Sequence, residues 1–188
     1  MPLVCVRFRK VKMAWSMCPT ICLVSLVLIR YAFAHPLSSV GSIGVLNHCD
    51  APIYLKVTRE ADCPTSILEP GGTYRETYQF PAHGGTSVKL AKDTDSLQNG
   101  ENEVQLEYTC TDQCYVDFSL INDATKFPGE NTTLSLRPSD PRCDTLICTA
   151  GDTTCRNAYY IPTDDHAVRA CSLEASWTFT LCDRPSTR

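Results

Sequence analysis

Two carboxylates, Glu107 and Asp117, are the first candidates for chemistry in this sequence. Alternating apolar and polar residues flank the short segment Cys110-Thr111-Asp112-Gln113-Cys114, a pattern that predicts a tight β-hairpin. If Cys110 lies opposite Cys114 and the two form a disulfide, Glu107 lies directly across from Asp117 on the polar face. Carboxylates in register normally destabilise a sheet, so a retained pair would share a proton, hold a cation or hydrogen-bond a polyhydroxyl ligand. In the alternative, water and a nearby Lys or Arg screen the charges, or the register differs.

Few other residues form a pattern that predicts catalysis or metal binding. His48, His83 and His166 are scattered, with no serine or cysteine arrangement that predicts a catalytic triad. The spacings Cys110-x-x-x-Cys114 and Cys143-x-x-x-x-Cys148 lack the paired Cys-x-x-Cys or histidine partners of a zinc site. We therefore assign no catalytic residue and expect neither a metal nor a cofactor.

Short strands are the elements that must position these side chains. Alternation of apolar and polar residues recurs along the chain, whereas sustained helical periodicity does not. The alternating runs, separated by Gly- and Pro-rich turn signals, are 53–58, 74–80, 104–109, 116–120 and 177–181. The aromatic residues of the second run, Tyr74, Tyr78 and Phe80, are expected in the core. The pattern predicts an all-β domain, an antiparallel sandwich or barrel.

The first 34 residues have the composition of a secretory signal peptide. Basic residues precede the apolar run Ile21–Ile29, and Ala32-Phe33-Ala34 matches the small-x-small pattern of a cleavage site. We expect cleavage after Ala34, a domain over 35–182 and a short polar tail over 183–188 that carries no membrane anchor. The protein is thus expected to be secreted, and extracellular or associated with a cell wall.

The composition after cleavage excludes several classes of partner. Five of the 17 basic residues and none of the 21 acidic residues lie in the signal, so the remaining chain has a net charge of −9. That charge, and the lack of a long apolar stretch, argue against nucleic acid as a partner and against membrane insertion. Nine of the 12 cysteines remain, and export favours a disulfide framework with one cysteine left over.

Several motifs, in their order along the chain, resemble those of thaumatin-like proteins. They are the first-strand Asn-x-Cys motif in Val45-Leu46-Asn47-His48-Cys49, the Asp-x-Ser motif in Asp117-Phe118-Ser119-Leu120-Ile121-Asn122, the segment 155–165, and the closing strand 177–182. Within that superfamily, segments 74–78, 87–90 and 105–109 are similar to the small fungal secreted group named after a Blastomyces yeast-phase-specific protein. Its members are also called antigenic thaumatin-like proteins.

The resemblance implies a disulfide-stapled, flattened antiparallel β-sandwich that lacks the cysteine-rich second domain of large plant members. It also implies the disulfides Cys49–Cys182, Cys143–Cys171 and Cys148–Cys155. Together with Cys110–Cys114, which follows from the hairpin register, these pairs leave Cys63 unpaired.

The resemblance further implies an acidic cleft for ligand binding. Glu107 and Asp117 match two of the family's acids, whereas Asn122 stands where a third is expected and Asp123 follows it. The cleft arginine of the family has no secure match, and the nearest cations in the sequence are Lys89 and Lys92.

The favoured function is a non-catalytic secreted protein that binds cell-wall glucan or a host surface component. Carboxylates and amides would hydrogen-bond sugar hydroxyls, while Tyr108 or Tyr115 supplies an aromatic face. The first alternative is a weak endo-β-1,3-glucanase or antifungal protein, with two carboxyls about 5 Å apart acting as acid and nucleophile. The second is an effector or antigen with only a protein partner.

Asn131 begins an N-glycosylation acceptor, Asn131-Thr132-Thr133. The sequence leaves the oligomeric state open.

Overall fold

The computed structural model describes residues 39–122, 132–163 and 166–184 of the 188-residue chain, all within the compact unit Leu37–Arg188. The predicted signal peptide, residues 1–34, lies outside the described residues. The described elements are, in chain order, β1 (Ser42–Asn47), β2 (Ile53–Thr58), β3 (Ser66–Leu68), β4 (Thr73–Thr77), β5 (Thr86–Ala91), α1 (Thr94–Asn99), β6 (Val104–Cys110), β7 (Cys114–Ser119), β8 (Leu134–Pro138), β9 (Leu146–Cys148), β10 (Arg169–Cys171) and β11 (Trp177–Leu181). None of the described residues forms a helix long and apolar enough to cross a membrane.

The strands form two sheets that pack face to face around one core. One sheet has five strands in the order β4-β1-β11-β8-β9, and the other has six in the order β10-β7-β6-β5-β2-β3. Alternation decides which side chains enter the core, because successive residues of a strand point to opposite faces. In β2, Ile53, Leu55 and Val57 are buried, and the residues between them are half-buried. The predicted β-sandwich is confirmed.

The first and last strands, β1 and β11, lie side by side and run parallel, with Val45 paired to Phe179. A parallel pair cannot arise from a tight hairpin, so this contact joins the two ends of the domain. Asn47, at the end of β1, is fully buried. Its amide donates to the carbonyl oxygens of Ala51 and Leu68, each at 2.9 Å, and its Oδ1 accepts from the Cys49 N–H. The buried Asn47 side chain thus ties the end of β1 to three backbone groups, of which the Leu68 carbonyl lies in the core.

Phe118 of β7 and Phe179 of β11 join the two sheets. Both are fully buried, and their ring centroids lie 5.1 Å apart. Because Phe118 points into the core, its neighbour Asp117 must point to the outer face of the six-stranded sheet. Packing of the core therefore orients one of the candidate site residues.

Four disulfides link the described residues: Cys49–Cys182, Cys110–Cys114, Cys143–Cys171 and Cys148–Cys155. They are the same four pairs that the sequence analysis expects. Cys63 is the free cysteine of the described part of the chain, and it is half-buried.

The aromatic run at β4 differs from the prediction at its far end. The strand ends at Thr77, and Phe80 is 53% exposed, so the expectation of a core position is wrong for Phe80. Tyr78 is buried and its hydroxyl donates to the carbonyl oxygen of Ala175, while Tyr74 is half-buried. The alternation of buried and exposed residues ends here because the chain leaves the sheet before Pro81. Proline has no N–H group to donate to a neighbouring strand.

Candidate functional site

Glu107 and Asp117 are cross-strand partners on the outer face of the six-stranded sheet. The register of β6 and β7 pairs Glu107 with Asp117, and Leu106 with Phe118. Leu106 and Phe118 are fully buried in the core. The predicted register is therefore confirmed, and both carboxyls point away from the core.

Burial changes the ionisation of both carboxyls. Removal from water, and secondarily the charge of Glu107, raises the pKa of Asp117 from 3.8 to about 7. Burial also raises the pKa of Glu107, while Lys89 opposes that shift and Glu103 adds to it. Asp117 Oδ1 is shielded from water and has no hydrogen-bond partner among the described residues. Asp117 therefore gives up its proton only near neutral pH, well above the range of an ordinary carboxyl.

A third acid, Glu103, lies four residues before Glu107 along the chain, close enough for its charge to act on Glu107, and the sequence patterns above did not single it out. It immediately precedes β6 and has no exposed surface. Its Oε1 accepts hydrogen bonds of 2.7 Å from Lys89 Nζ and from Asn122 Nδ2. The signal was present in the sequence, because Glu103 continues the outward-facing series of Gln105 and Glu107 by one step of two residues.

Asn122 binds Glu103, although it stands where the family pattern has an acid. An amide donates to a carboxylate, whereas a second carboxylate would repel it. Of the two lysines considered for the cation of the cleft, the structure brings only Lys89 to the acids. Lys92 lines a separate small cavity beside the Cys49–Cys182 disulfide.

An open groove of about 450 Å³ includes the acidic pair in its lining. Its lining also includes the hydroxyl side chains of Thr58, Ser87 and Thr109, with Arg59, Val168 and Tyr115. Gly85, which also lines the groove, lies against Thr109. A Cβ atom at position 85 would come within 2.4 Å of the Thr109 hydroxyl oxygen, so a larger residue there would displace this part of the lining.

The two tyrosines proposed as aromatic faces lie in different environments. Tyr115 is 40% exposed and lines the groove. Tyr108 is buried, and its hydroxyl donates to Glu76 Oε1 at 2.9 Å and accepts from the Gln79 N–H at 3.2 Å. Tyr115, and not Tyr108, therefore offers a ring to a ligand.

Basic side chains near the acidic pair are already bound to other acids. The ion pairs are Arg59 with Glu76 at 2.7 Å, Lys89 with Glu103 at 2.7 Å, and Lys56 with Asp62 at 2.6 Å. Glu107 and Asp117 take part in none of these three contacts. Of these three cations, Arg59 lines the groove together with the acidic pair.

Two predicted site residues, Asp123 and the glycosylation acceptor Asn131, lie outside the described residues. The structure does bring together one further set of possible metal ligands, Asp140 with Cys143 and Cys171. Both sulfur atoms of that set are joined in a disulfide, so they are not available as thiolate ligands.

Comparison with known proteins gives matches over most of the chain. A family model described as Blastomyces yeast-phase-specific protein matches residues 30–183. The secreted thaumatin-like protein calA of Emericella nidulans is 34% identical over 148 residues, which cover 78% of this chain and 84% of that protein. The antigenic thaumatin-like protein of Arthroderma benhamiae is 31% identical over 147 residues, covering 77% of this chain and 72% of that protein.

A solved structure shares the fold. The protein elicitor MoHrip2 from Magnaporthe oryzae matches with a TM-score of 0.59 and 21% sequence identity, covering 76% of this chain and 99% of that chain. At that identity the likeness concerns the fold alone.

Proposed function

The chain belongs to the Blastomyces yeast-phase-specific protein family of thaumatin-like β-sandwiches, and we propose that it is a secreted, non-catalytic protein that binds a glycan of a cell wall or host surface. Export is supported by the predicted signal peptide and by the name of the relative from Emericella nidulans, a secreted thaumatin-like protein. The binding site is the groove around Glu107 and Asp117.

The observation that carries this proposal is the placement of the acidic pair and an exposed tyrosine in one open groove. Carboxyl groups accept hydrogen bonds from pairs of sugar hydroxyls. Tyr115 adds an apolar ring on which the face of a pyranose can stack. Hydroxyl side chains at Ser87 and Thr109 supply further donors and acceptors along the same groove.

The ionisation of the pair argues for binding over catalysis. A retaining glycosidase needs one protonated and one ionised carboxyl at the reacting bond. Burial raises the pKa of both Glu107 and Asp117, so neither environment is built to keep a nucleophile ionised. Lys89, which opposes the shift at Glu107, is held by Glu103.

A pull-down with insoluble β-1,3-glucan, chitin, cellulose and chitosan, the deacetylated form of chitin, tests the proposal. The wild-type protein is compared with Glu107→Gln/Asp117→Asn, and reducing-end release is measured in the same tubes. Binding that the double variant loses, without sugar release, is the expected result. If neither binding nor release occurs with any polymer, the glycan-binding function is wrong and the partner is a protein.

One observation favours a second candidate, a weak endo-glucanase. The pKa of Asp117 is raised to about 7, which is the condition a general acid needs at neutral pH. In that case β-1,3-glucan would release reducing ends, with a rate that falls as pH rises above about 7 because Asp117 loses its proton. Either single neutral variant, Glu107→Gln or Asp117→Asn, would abolish the release.

A further inference from the structure

The acidic pair in the groove has no basic partner of its own among the described residues. Neighbouring basic side chains are each bound to another acid, as the pairs Arg59–Glu76, Lys89–Glu103 and Lys56–Asp62. Asp117 Oδ1 is sheltered from water and accepts no hydrogen bond from the described residues. A carboxyl pair without a donor or a cation of its own is unfavourable, so a cationic ligand that contacts the pair from the groove gains binding energy.

An ammonium group suits this pair better than a hydroxyl group. It carries a full positive charge and three N–H donors. Two donors can reach Glu107 and Asp117 together, and the third can reach Ser87, which lies opposite Glu107 on β5. Hydrogen bonds between ionised partners are about twice as strong as those between neutral ones.

The face of the sheet favours a glycan, rather than a peptide, as the carrier of this ammonium group. Strands β5 and β6 lie in the interior of the six-stranded sheet, so their backbone groups are paired with neighbouring strands and do not bind a peptide backbone. The groove offers side-chain hydroxyls, such as those of Thr58 and Ser87, and the exposed ring of Tyr115. These groups match the hydroxyls and the apolar face of a pyranose ring.

We propose that the ligand of this groove is an oligosaccharide of glucosamine, with a free amino group held as an ammonium between Glu107 and Asp117. This inference rests on the glycan-binding function proposed above and narrows it to glycans with free amino groups. The entering cation favours the ionised form of both carboxyls. The proton that Asp117 holds below its raised pKa therefore passes to the buffer, while the ligand, which enters as ammonium, keeps its own.

Isothermal titration calorimetry of the secreted protein tests this inference. The probes are a β-1,4-linked glucosamine tetramer, the corresponding N-acetylated tetramer and a neutral β-1,3-glucan tetramer. Titrations at about pH 5.5, where the amino groups of the probe are already ammonium, in two buffers of different ionisation enthalpy measure the protons released on binding. We expect the glucosamine tetramer to bind at least about tenfold more tightly than the other two, since each lost charge-assisted contact costs about that factor. We also expect only this tetramer to release protons.

Matched variants separate the groove from general attraction between a cation and an acidic protein. Glu107→Gln/Asp117→Asn should lose both the binding and the proton release. The control Glu69→Gln/Glu101→Gln removes the same charge from exposed positions outside the groove, and it should bind as the wild type does. Circular dichroism of each variant checks that the sheet is retained.

Four outcomes would overturn the inference. If a neutral or N-acetylated tetramer binds as well as the glucosamine tetramer, glycan binding stands and the role of the ammonium is wrong. If the binding survives in Glu107→Gln/Asp117→Asn, the ammonium is not held by this pair, and a loss in the exposed control would show non-specific attraction. If a lysine-rich peptide displaces the sugar at equal concentration and releases the same protons, the carrier is a peptide. If no glycan binds, the proposed function fails as well.

Discussion

Glu103 and Asn122 are joined by a hydrogen bond of 2.7 Å, in which the Asn122 amide donates to a carboxylate that has no exposed surface. Lys89 Nζ donates to the same oxygen at 2.7 Å. The amide at position 122 is therefore the partner that a buried acid requires, and not a weakened form of the family's acid. Neither residue lines the groove that contains Glu107 and Asp117.

Asn122→Asp should destabilise the protein, because it places a second carboxylate against Glu103. We expect the free energy of unfolding to fall by about 1–3 kcal/mol, as for an unsatisfied buried polar group. Urea unfolding near neutral pH measures the change. In a Glu103→Gln background the same substitution should cost much less, because a glutamine amide can donate to the new carboxylate. Equal costs in the two backgrounds would contradict the coupling.

Glu103→Gln alone should also destabilise the protein, because it leaves Lys89 without its ion-pair partner in a half-buried position. A loss of about 1–3 kcal/mol is expected from unfolding curves. Glu101→Gln, two residues earlier and exposed, is the matched control and should change stability by less than about 0.5 kcal/mol. A similar loss in both variants would show that the burial of Glu103 is not the cause.

Asp117 should make stability fall as the pH rises. Its pKa is raised from 3.8 to about 7, so between these values the folded protein holds a proton that the unfolded chain has lost. The free energy of unfolding therefore decreases with rising pH in that window, by at most about 1.4 kcal/mol per pH unit for one proton. Denaturant unfolding from about pH 4 to about pH 8 should show a flatter profile for Asp117→Asn. A profile identical to that of the wild type would refute the assignment.

The disulfide between the first and last strands should contribute more than the one in the hairpin. Cys49 and Cys182 are 133 residues apart, whereas Cys110 and Cys114 are 4 apart. Loop-closure entropy gives roughly 5 kcal/mol for the long loop and roughly 2 kcal/mol for the short one. Guanidinium unfolding of Cys49→Ala/Cys182→Ala and of Cys110→Ala/Cys114→Ala compares the two. Equal losses would argue against the entropic account.

Tyr115→Ala should weaken glycan binding without loss of stability, because the ring is exposed in the groove. A stacking contact of this kind contributes about 0.5–1.5 kcal/mol, which calorimetry or a pull-down isotherm resolves. Phe80→Ala is the control, since Phe80 is also an exposed aromatic residue but does not line the groove. If both variants bind as the wild type does, the aromatic face has no role.

The sequence by itself determined the local relationships of the candidate site. Five residues from Cys110 to Cys114 close the hairpin, and strands of period two leave one register in which apolar residues face the core. That register places Glu107 opposite Asp117, as the structure confirms. Alternation predicted a sandwich or a barrel, and the choice of a sandwich and three of the disulfide pairs came from the resemblance to thaumatin-like proteins.

Only the tertiary structure decided which neighbours these carboxyls have and how far water reaches them. Lys89 on β5 and Asn122 beyond β7 meet at Glu103, and Glu76 on the five-stranded sheet binds Arg59 beside the groove. The exposure of Tyr115, the burial of Tyr108 and the departure of Phe80 from the core likewise depend on where strands end and which sheet covers them. Alternation assigns a side chain to one face of one strand. Burial and partners arise from strands far apart in the chain, whose approach is set by packing of the whole core.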